Sequence, residues 1–282
     1  MKLENILPKN GPSVEEVKKY IEKYNNEIIV IKCGGSVLLK ENLFEQFIND
    51  VSILNQLKIN IIVVHGGGRN IKKKLDDRNI ESKFIDGLRI TDEKTIIIVE
   101  QALIELNLDI VQKLKDKNCN AETISTKINN IIFVLPEKKD LKFVGIPKDI
   151  NESILLDLLK NNKVPVVIPM GIGTDNNIYN INADIAAGAI AKKLNSRRLL
   201  LMTDVEGVLD KKKKVISEIN SKIAMQMINE KIIDGGMIPK VNTCLDAVNN
   251  GVTGVVIVDG RKPHSILFEL FSDKGAGTLI RK

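Results

Sequence analysis

Tryptophan is absent from this 282-residue chain, which holds only three Tyr and seven Phe. Rings therefore cannot dominate its core, and abundant Ile must carry much of that load. The scarcity also removes the stacking platforms on which single-stranded nucleic acid is held. No apolar run approaches the roughly 18 residues that read as a membrane-spanning helix, so no membrane partner is expected. Residues 1–26 mix Glu with Lys and lack an apolar signal core, which argues against export. Two His exclude a His-rich metal site. The three cysteines, Cys33, Cys119 and Cys244, are odd in number and lack metal-type spacing. That pattern fits a reducing compartment, and a cytoplasmic location is expected.

Charge is nearly balanced, with 42 basic and 36 acidic residues for a formal +6. The lysines are scattered, and no aromatic-interleaved basic motif accompanies them, so no nucleic-acid partner is expected. The run 211–214 reads as a solvated hairpin tip. A modest basic surplus suits a protein whose ligands are anions.

Periodicity supplies the fold class. A fully apolar run at 28–31 and further largely apolar runs at 59–64, 164–168, 198–202 and 254–258 have the length of strands buried on both faces. Helical spacing recurs at 43–57, 69–78, 94–114 and 183–191. Strand, glycine loop, helix and strand in that order specify an α/β chain with an open, mainly parallel sheet covered on both sides. The stretch 118–144 reads as a β-rich hairpin region. Ahead of the first strand, Val14, Val17, Ile21 and Tyr24 recur at helical spacing behind a Ser13/Glu16 capping box. That helix docks either on its own domain or on another subunit.

Two glycine loops follow strands, Lys32-Cys33-Gly34-Gly35 and His65-Gly66-Gly67-Gly68. In an open α/β sheet, ligands bind at such strand ends, where backbone N–H groups can approach an anion. Neither loop fits the P-loop pattern, and neither completes G-x-G-x-x-G, because position 71 is Ile. A nicotinamide-dependent dehydrogenase is thereby disfavoured. Cys33 is either a thiol activated by these N–H groups or a small filler in a tight turn. Further on, Asn180-Ile181-Asn182-Ala183-Asp184 opens a helix of small residues. Asn182 has the N-cap chemistry, but capping accounts for only one of the three polar groups.

These pieces, with Gly87-Leu88-Arg89-Ile90-Thr91-Asp92 and Gly235-Gly236-Met237-Ile238-Pro239-Lys240, resemble in order the acetylglutamate kinase branch of the amino acid kinase family. The resemblance runs from about residue 27 to the C-terminus. It implies a three-layer αβα sandwich, with an acyl-substrate lobe over 27–194 and an ATP lobe over 195–282. The implied reaction is ATP-dependent phosphorylation of the side-chain carboxylate of N-acetyl-L-glutamate, the second step of arginine biosynthesis, with Mg²⁺ carried by ATP. A related carboxylate such as an aminoadipate derivative, or a weakly catalytic arginine sensor, are the alternatives.

Residue by residue, the resemblance makes Lys32 and Lys240 the transition-state cations and Asp184 the carboxylate that organises them. Arg89 and Asn180 hold the amino acid's α-carboxylate. Gly67 and Gly68 meet the acyl group, and Gly34 and Gly35 meet phosphate. Asp204, Val205, Gly207 and Leu209 belong to a nucleotide loop that works largely through its backbone. No protein metal ligand is implied, and His65 is structural, since an ionised carboxylate needs no base. The N-terminal helix and the C-terminal segment resemble the arginine-regulated members, which form dimers interlaced into hexamers. His264, Glu269, Gly275 and Gly277 would then serve an L-arginine effector. One segment departs from the family pattern: a glycine-rich turn is replaced by residues 121–130, with Asn129 and Asn130 as the substitute turn formers. Because that region helps to cover the acyl substrate in the family, the replacement bears on acyl specificity.

Overall fold

Five apolar runs become neighbouring strands of one eight-stranded sheet in the computed structural model, which describes residues 3–282. Positions 1 and 2 of the N-terminal extension lie outside the described residues. The strand order is Glu218–Asn220, Gly277–Arg281, Val255–Asp259, Arg198–Thr203, Ile28–Cys33, Asn60–His65, Val164–Val167, Ala121–Ile124. Neighbours are parallel throughout except for Gly277–Arg281, which runs antiparallel to Val255–Asp259.

Each central strand buries both faces, as an all-parallel centre demands. Val30, Ile62, Leu199 and Leu201 belong to one core, and Ile29, Ile31, Ile61 and Leu200 to the core on the other side. Helices Ala183–Lys193 and Met237–Asn249 cover the first face. Helices Glu41–Gln56 and Ser265–Phe271, with part of Glu93–Asp116, cover the second. The result is a three-layer αβα sandwich. A four-stranded sheet (Ile178–Asn180, Met170–Gly173, Ile132–Pro136, Gly145–Ile150) and a two-stranded ribbon (Phe84–Ile85 with Leu88–Arg89) stand beside it.

The 118–144 region divides. Ala121–Ile124 is the edge strand of the main sheet, while Ile132–Pro136 forms its hairpin with Gly145–Ile150, beyond the expected limit. The N-terminal helix, Val14–Ile21, has the expected capping box, with Ser13 Oγ accepting from Glu16 N at 3.2 Å and Glu16 Oε2 from Ser13 N at 2.9 Å. It docks on its own chain: Val17 and Tyr24 are buried, and Tyr24 meets Phe271 edge-on at 6.2 Å between ring centroids. The lysines at 211–214 are exposed at the tip of a turn closed by Asp210 N and Lys214 O at 2.8 Å. Among the described residues, no helix is long and apolar enough to cross a membrane.

Candidate active site

Lys32 is the penultimate residue of the central strand, in register with Val64 on one side and Leu201 on the other. Three adjacent strands thus end at one edge, and their following loops converge there. The glycine loop after Cys33 touches the loop after His65, with Gly66 N donating to Cys33 O at 2.7 Å. Gly34 leaves room for the lysine to fold back, since a Cβ there would stand 3.0 Å from Lys32 Nζ. Gly67 admits the core below, because a Cβ would meet Leu103 Cδ2 at 2.5 Å.

Helix Ala183–Lys193 starts at this edge. Asn182 Oδ1 caps it, accepting from Asp184 N at 2.9 Å and Ile185 N at 3.3 Å. Its run of small residues has a packing reason: Ala186, Ala187 and Ala191 are buried, and Gly188 faces Thr243 of the helix Met237–Asn249. Close approach of that helix brings Lys240 to Asp184. The Asp184 carboxylate lies between two ammonium groups, Lys32 Nζ 2.9 Å from Oδ1 and Lys240 Nζ 2.5 Å from Oδ2. Lys240 donates a well-formed hydrogen bond, whereas the Lys32 contact is an ion pair off hydrogen-bond geometry. Burial alone would raise the Asp184 pKa, but the two positive charges outweigh it and hold the group at about 2.

A cleft of about 230 Å³ is bounded by Lys32, both glycine loops, Arg89, Asn180 and Asp184, with Lys240 reaching Asp184 from outside its lining. Arg89 is buried, with Nη2 donating to Gly68 O at 3.1 Å, Nη1 donating to Ser82 Oγ, and its guanidinium 4.7 Å from the Phe84 ring centroid. Asn180 donates to Thr91 Oγ1 at 3.3 Å. Apolar walls come from Phe84, Leu88, Val144 and Pro169, which sequence reasoning missed. The signal for two of them was present: Asp86-Gly87 between apolar residues is a hairpin-turn pair, and both adopt positive φ, 51° and 80°. Segment 121–130 is not among the residues that line this cleft. Asn129 does take the left-handed conformation there (φ 55°), and Asn130 does not.

His65 is fully buried, with burial pushing its pKa down to about 4. Its Nδ1–H donates to Gly66 O at 2.8 Å, and Asn107 Nδ2 lies 3.1 Å from Nε2 while donating to Val166 O at 2.9 Å. Asn107 can only donate there, so the ring is a neutral clasp on the loop. Cys33 is also buried, and burial raises its thiol pKa. The filler reading holds.

The loop 203–210 follows the neighbouring strand and meets the first glycine loop through Asp204. Val205 is exposed and Leu209 half-buried. Gly207 (φ +145°) passes so close to Gly277–Arg281 that a Cβ would stand 2.5 Å from Thr278 Oγ1. Glu269, Gly275 and Gly277 line a separate cleft of about 270 Å³, together with Tyr20, Lys23 and Arg198. Glu269 Oε2 accepts from Ala276 N at 2.7 Å. His264 is not on that cleft: it is buried and its Nδ1 lies 2.6 Å from Asp50 Oδ1. Among the described residues, no group of three or more His, Cys, Asp or Glu could hold a metal ion.

The profile of the amino acid kinase family matches residues 27–259. An acetylglutamate kinase from Pelagibacter ubique (strain HTCC1062) is 59% identical over 278 residues, spanning 99% of this chain and 96% of its own. One from Clostridioides difficile (strain 630) is 46% identical over 272 residues, 95% of each chain. Among solved structures, N-acetylglutamate synthase from Neisseria gonorrhoeae, complexed with coenzyme A and N-acetyl-glutamate, superposes with a TM-score of 0.85 at 20% identity. That superposition covers 95% of this chain, which spans 62% of the synthase's length, and the likeness is one of fold. With a family profile across most of its length and a 59% identical relative across nearly all of it, the chain belongs to the amino acid kinase family.

Proposed function

We infer that the protein transfers the γ-phosphoryl group of ATP to the side-chain carboxylate of N-acetyl-L-glutamate, giving N-acetylglutamyl 5-phosphate and ADP within arginine biosynthesis. The observation that carries this reading is Asp184 bridging Lys32 and Lys240 at the edge of a cleft that also holds a buried arginine. A carboxylate oxygen attacks the γ-phosphorus, the bond to the β-phosphate oxygen breaks, and ADP leaves with that electron pair. No proton need be removed from the nucleophile, so a neutral, buried His65 is no obstacle.

What the reaction demands is relief of anion–anion repulsion and stabilisation of charge on the transferring group. Lys32 and Lys240 supply fixed positive charge, and Asp184 keeps them from repelling each other apart. The N–H groups of Gly34 and Gly35 face the phosphate, and those of Gly67 and Gly68 the acyl end. Arg89 and Asn180 take the α-carboxylate, and Phe84, Leu88 and Val144 give the acyl group an apolar wall. The loop with Asp204, Val205, Gly207 and Leu209 binds adenosine largely through its backbone. In this assignment residues 27–194 form the acyl lobe and 195–282 the nucleotide lobe. ATP enters with a divalent metal, Mg²⁺ in our reading, which is held by the phosphates and neutralises part of their charge. We assign the enzyme to the cytoplasm. The direct test is trapping of the acyl phosphate with hydroxylamine across a panel of acylated glutamate, aspartate and aminoadipate. Product with none of them would end the assignment.

Arg89→Lys keeps the charge and loses the planar fork that grips a carboxylate at two points. The expected result is a KM for the acyl substrate raised about tenfold or more, with KM for ATP little changed. Steady-state kinetics with each substrate varied checks this, and a defect confined to ATP would move Arg89 out of the acyl site.

The second cleft fits L-arginine, with the mostly buried Glu269 facing the cationic end of the ligand. Tyr20 and Lys23 bring the N-terminal helix to its rim, which ties effector binding to the element that would interlace dimers into a hexamer. Glu269→Ala should raise the arginine concentration for half-inhibition by on the order of ten- to a hundredfold, the loss expected for a charged hydrogen-bond partner. Titration of activity with arginine measures it. A wild type indifferent to millimolar arginine would remove the effector and leave the kinase standing.

A further inference from the structure

One side-chain carboxylate at the active-site edge is not used by a loop that binds adenosine through its backbone. Asp204 begins the nucleotide loop, yet its side chain points away from it, into the first glycine loop. Its Oδ1 accepts from Ser36 N at 3.1 Å and from Ser36 Oγ at 2.5 Å. Gly35, between Ser36 and the phosphate-facing Gly34, takes φ +62°, and a Cβ there would stand 2.9 Å from Asp204 Oδ1. The carboxylate therefore packs against the loop over two consecutive residues.

We propose that Asp204 is a positioning residue, whose grip on Gly35-Ser36 sets the distance between the loop that binds adenosine and the loop that receives the γ-phosphate. The proposal rests on the reading of 203–210 as the nucleotide loop.

A negative charge beside a polyphosphate site works against ligand binding unless it is neutralised locally. Burial disfavours the ionised form here, yet the two Ser36 donors, with Arg69 and Arg261 nearby, hold the carboxyl below its usual range. The charge is used within the protein rather than offered to the ligand. Asp204 and Ser36 are 168 residues apart and each follows the end of one of two adjacent strands, so the tether crosses the sheet edge at the point where the nucleotide must span it. ATP is held at both ends, by its adenosine and by its γ-phosphate. If the two loops drift, the γ-phosphorus shifts relative to Lys32 and the attacking carboxylate. A misplacement of about 1 Å can cost a hundredfold in rate.

The test compares Asp204→Ala, Ser36→Ala, the double variant and Asp204→Asn with wild type. Either alanine variant should lower kcat by about ten- to a hundredfold, with KM for the acyl substrate held within about twofold. The double variant should be no worse than the poorer single, because both remove one tether. Asn keeps an acceptor for both Ser36 donors and should recover most of the loss. Wild-type kcat in either alanine variant, or losses that multiply in the double, would overturn the proposal. So would a lowered melting temperature with unchanged kcat, the signature of mere turn capping. Backbone amide exchange on wild type, with and without MgATP, separates the two layers. Protection of 203–210 by MgATP alongside normal turnover in the variants defeats the tether alone, whereas absence of protection defeats the nucleotide loop and the tether with it.

Discussion

Replacing Lys32 or Lys240 by Ala is expected to lower kcat by about two to three orders of magnitude, the scale for losing one preorganised charge-stabilising group. The two variants should differ in stability. After Lys32→Ala, Asp184 keeps its well-formed hydrogen bond from Lys240. After Lys240→Ala, only the off-angle Lys32 contact remains, so this variant should melt lower. The lysines are not open cleft residues: their side chains retain only 13% and 16% exposure. Single-turnover rates and thermal melts on both variants check the pair of claims. Near wild-type turnover in either would strip that lysine of its role.

Asp184→Ala should be at least as damaging to kcat as the worse lysine variant, although Asp184 touches no substrate in this mechanism. Without the carboxylate, two ammonium groups face each other across the cleft with nothing to hold them, and both lose their placement. Because the three side chains act as a unit, a triple variant should be hardly worse than Asp184→Ala. Removing one partner of a fully buried ion pair costs about 3–5 kcal/mol, and the cost here should be lower because the site opens to the cleft. The pH dependence has a definite sign. The folded pKa of about 2 lies below the ordinary aspartate value, so the stability Asp184 contributes is fully present above that ordinary value. It is lost progressively as pH falls below that ordinary value and through about 2. An acid limb of activity near pH 6 would therefore belong to another group. Rates and melts from pH 3 to 8 on wild type and Asp184→Asn test this: loss of kcat in wild type without loss in the variant would contradict it.

What the sequence made legible follows from the range of the forces involved. Strands such as Ile28–Cys33 and Arg198–Thr203 announce themselves because burial on both faces keeps Ile28–Ile31 and Leu199–Met202 apolar, with polar residues only at the strand ends. The capping box at Ser13 and the cap at Asn182 are local hydrogen bonds, readable from neighbours. The cleft's catalytic groups came through motif resemblance, and the structure brings Lys32, Asp184, Lys240 and Arg89 to one edge. The small sheet was obscure because distant contacts build it: Gly145 and Gly171 are needed where Tyr179 and Val134 press against them. The resemblance to arginine-regulated members groups His264 with Glu269, but its partner, Asp50, lies 214 residues away. Ser36 gives no local sign at all, since its meaning depends on a carboxylate in the loop after another strand.

The register of the central sheet has a further consequence. Lys32 sits opposite Val64 and Leu201 in a hydrogen-bonded ladder, and that ladder acts as a ruler for the reaction. A slip of one residue would move Lys32 by about 3.3 Å and turn its side chain to the opposite face of the sheet. The three strands of this ladder therefore share one permitted alignment, and inserting or deleting a residue inside any of them destroys the site. Loops have no such constraint. Length changes in the ribbon at Asp86-Gly87, the turn at 121–130 or the tip at 211–214 leave that alignment in place, and those at Asp86-Gly87 alter the wall of the cleft. The spacing between nucleophile and phosphorus stays where the backbone hydrogen bonds put it.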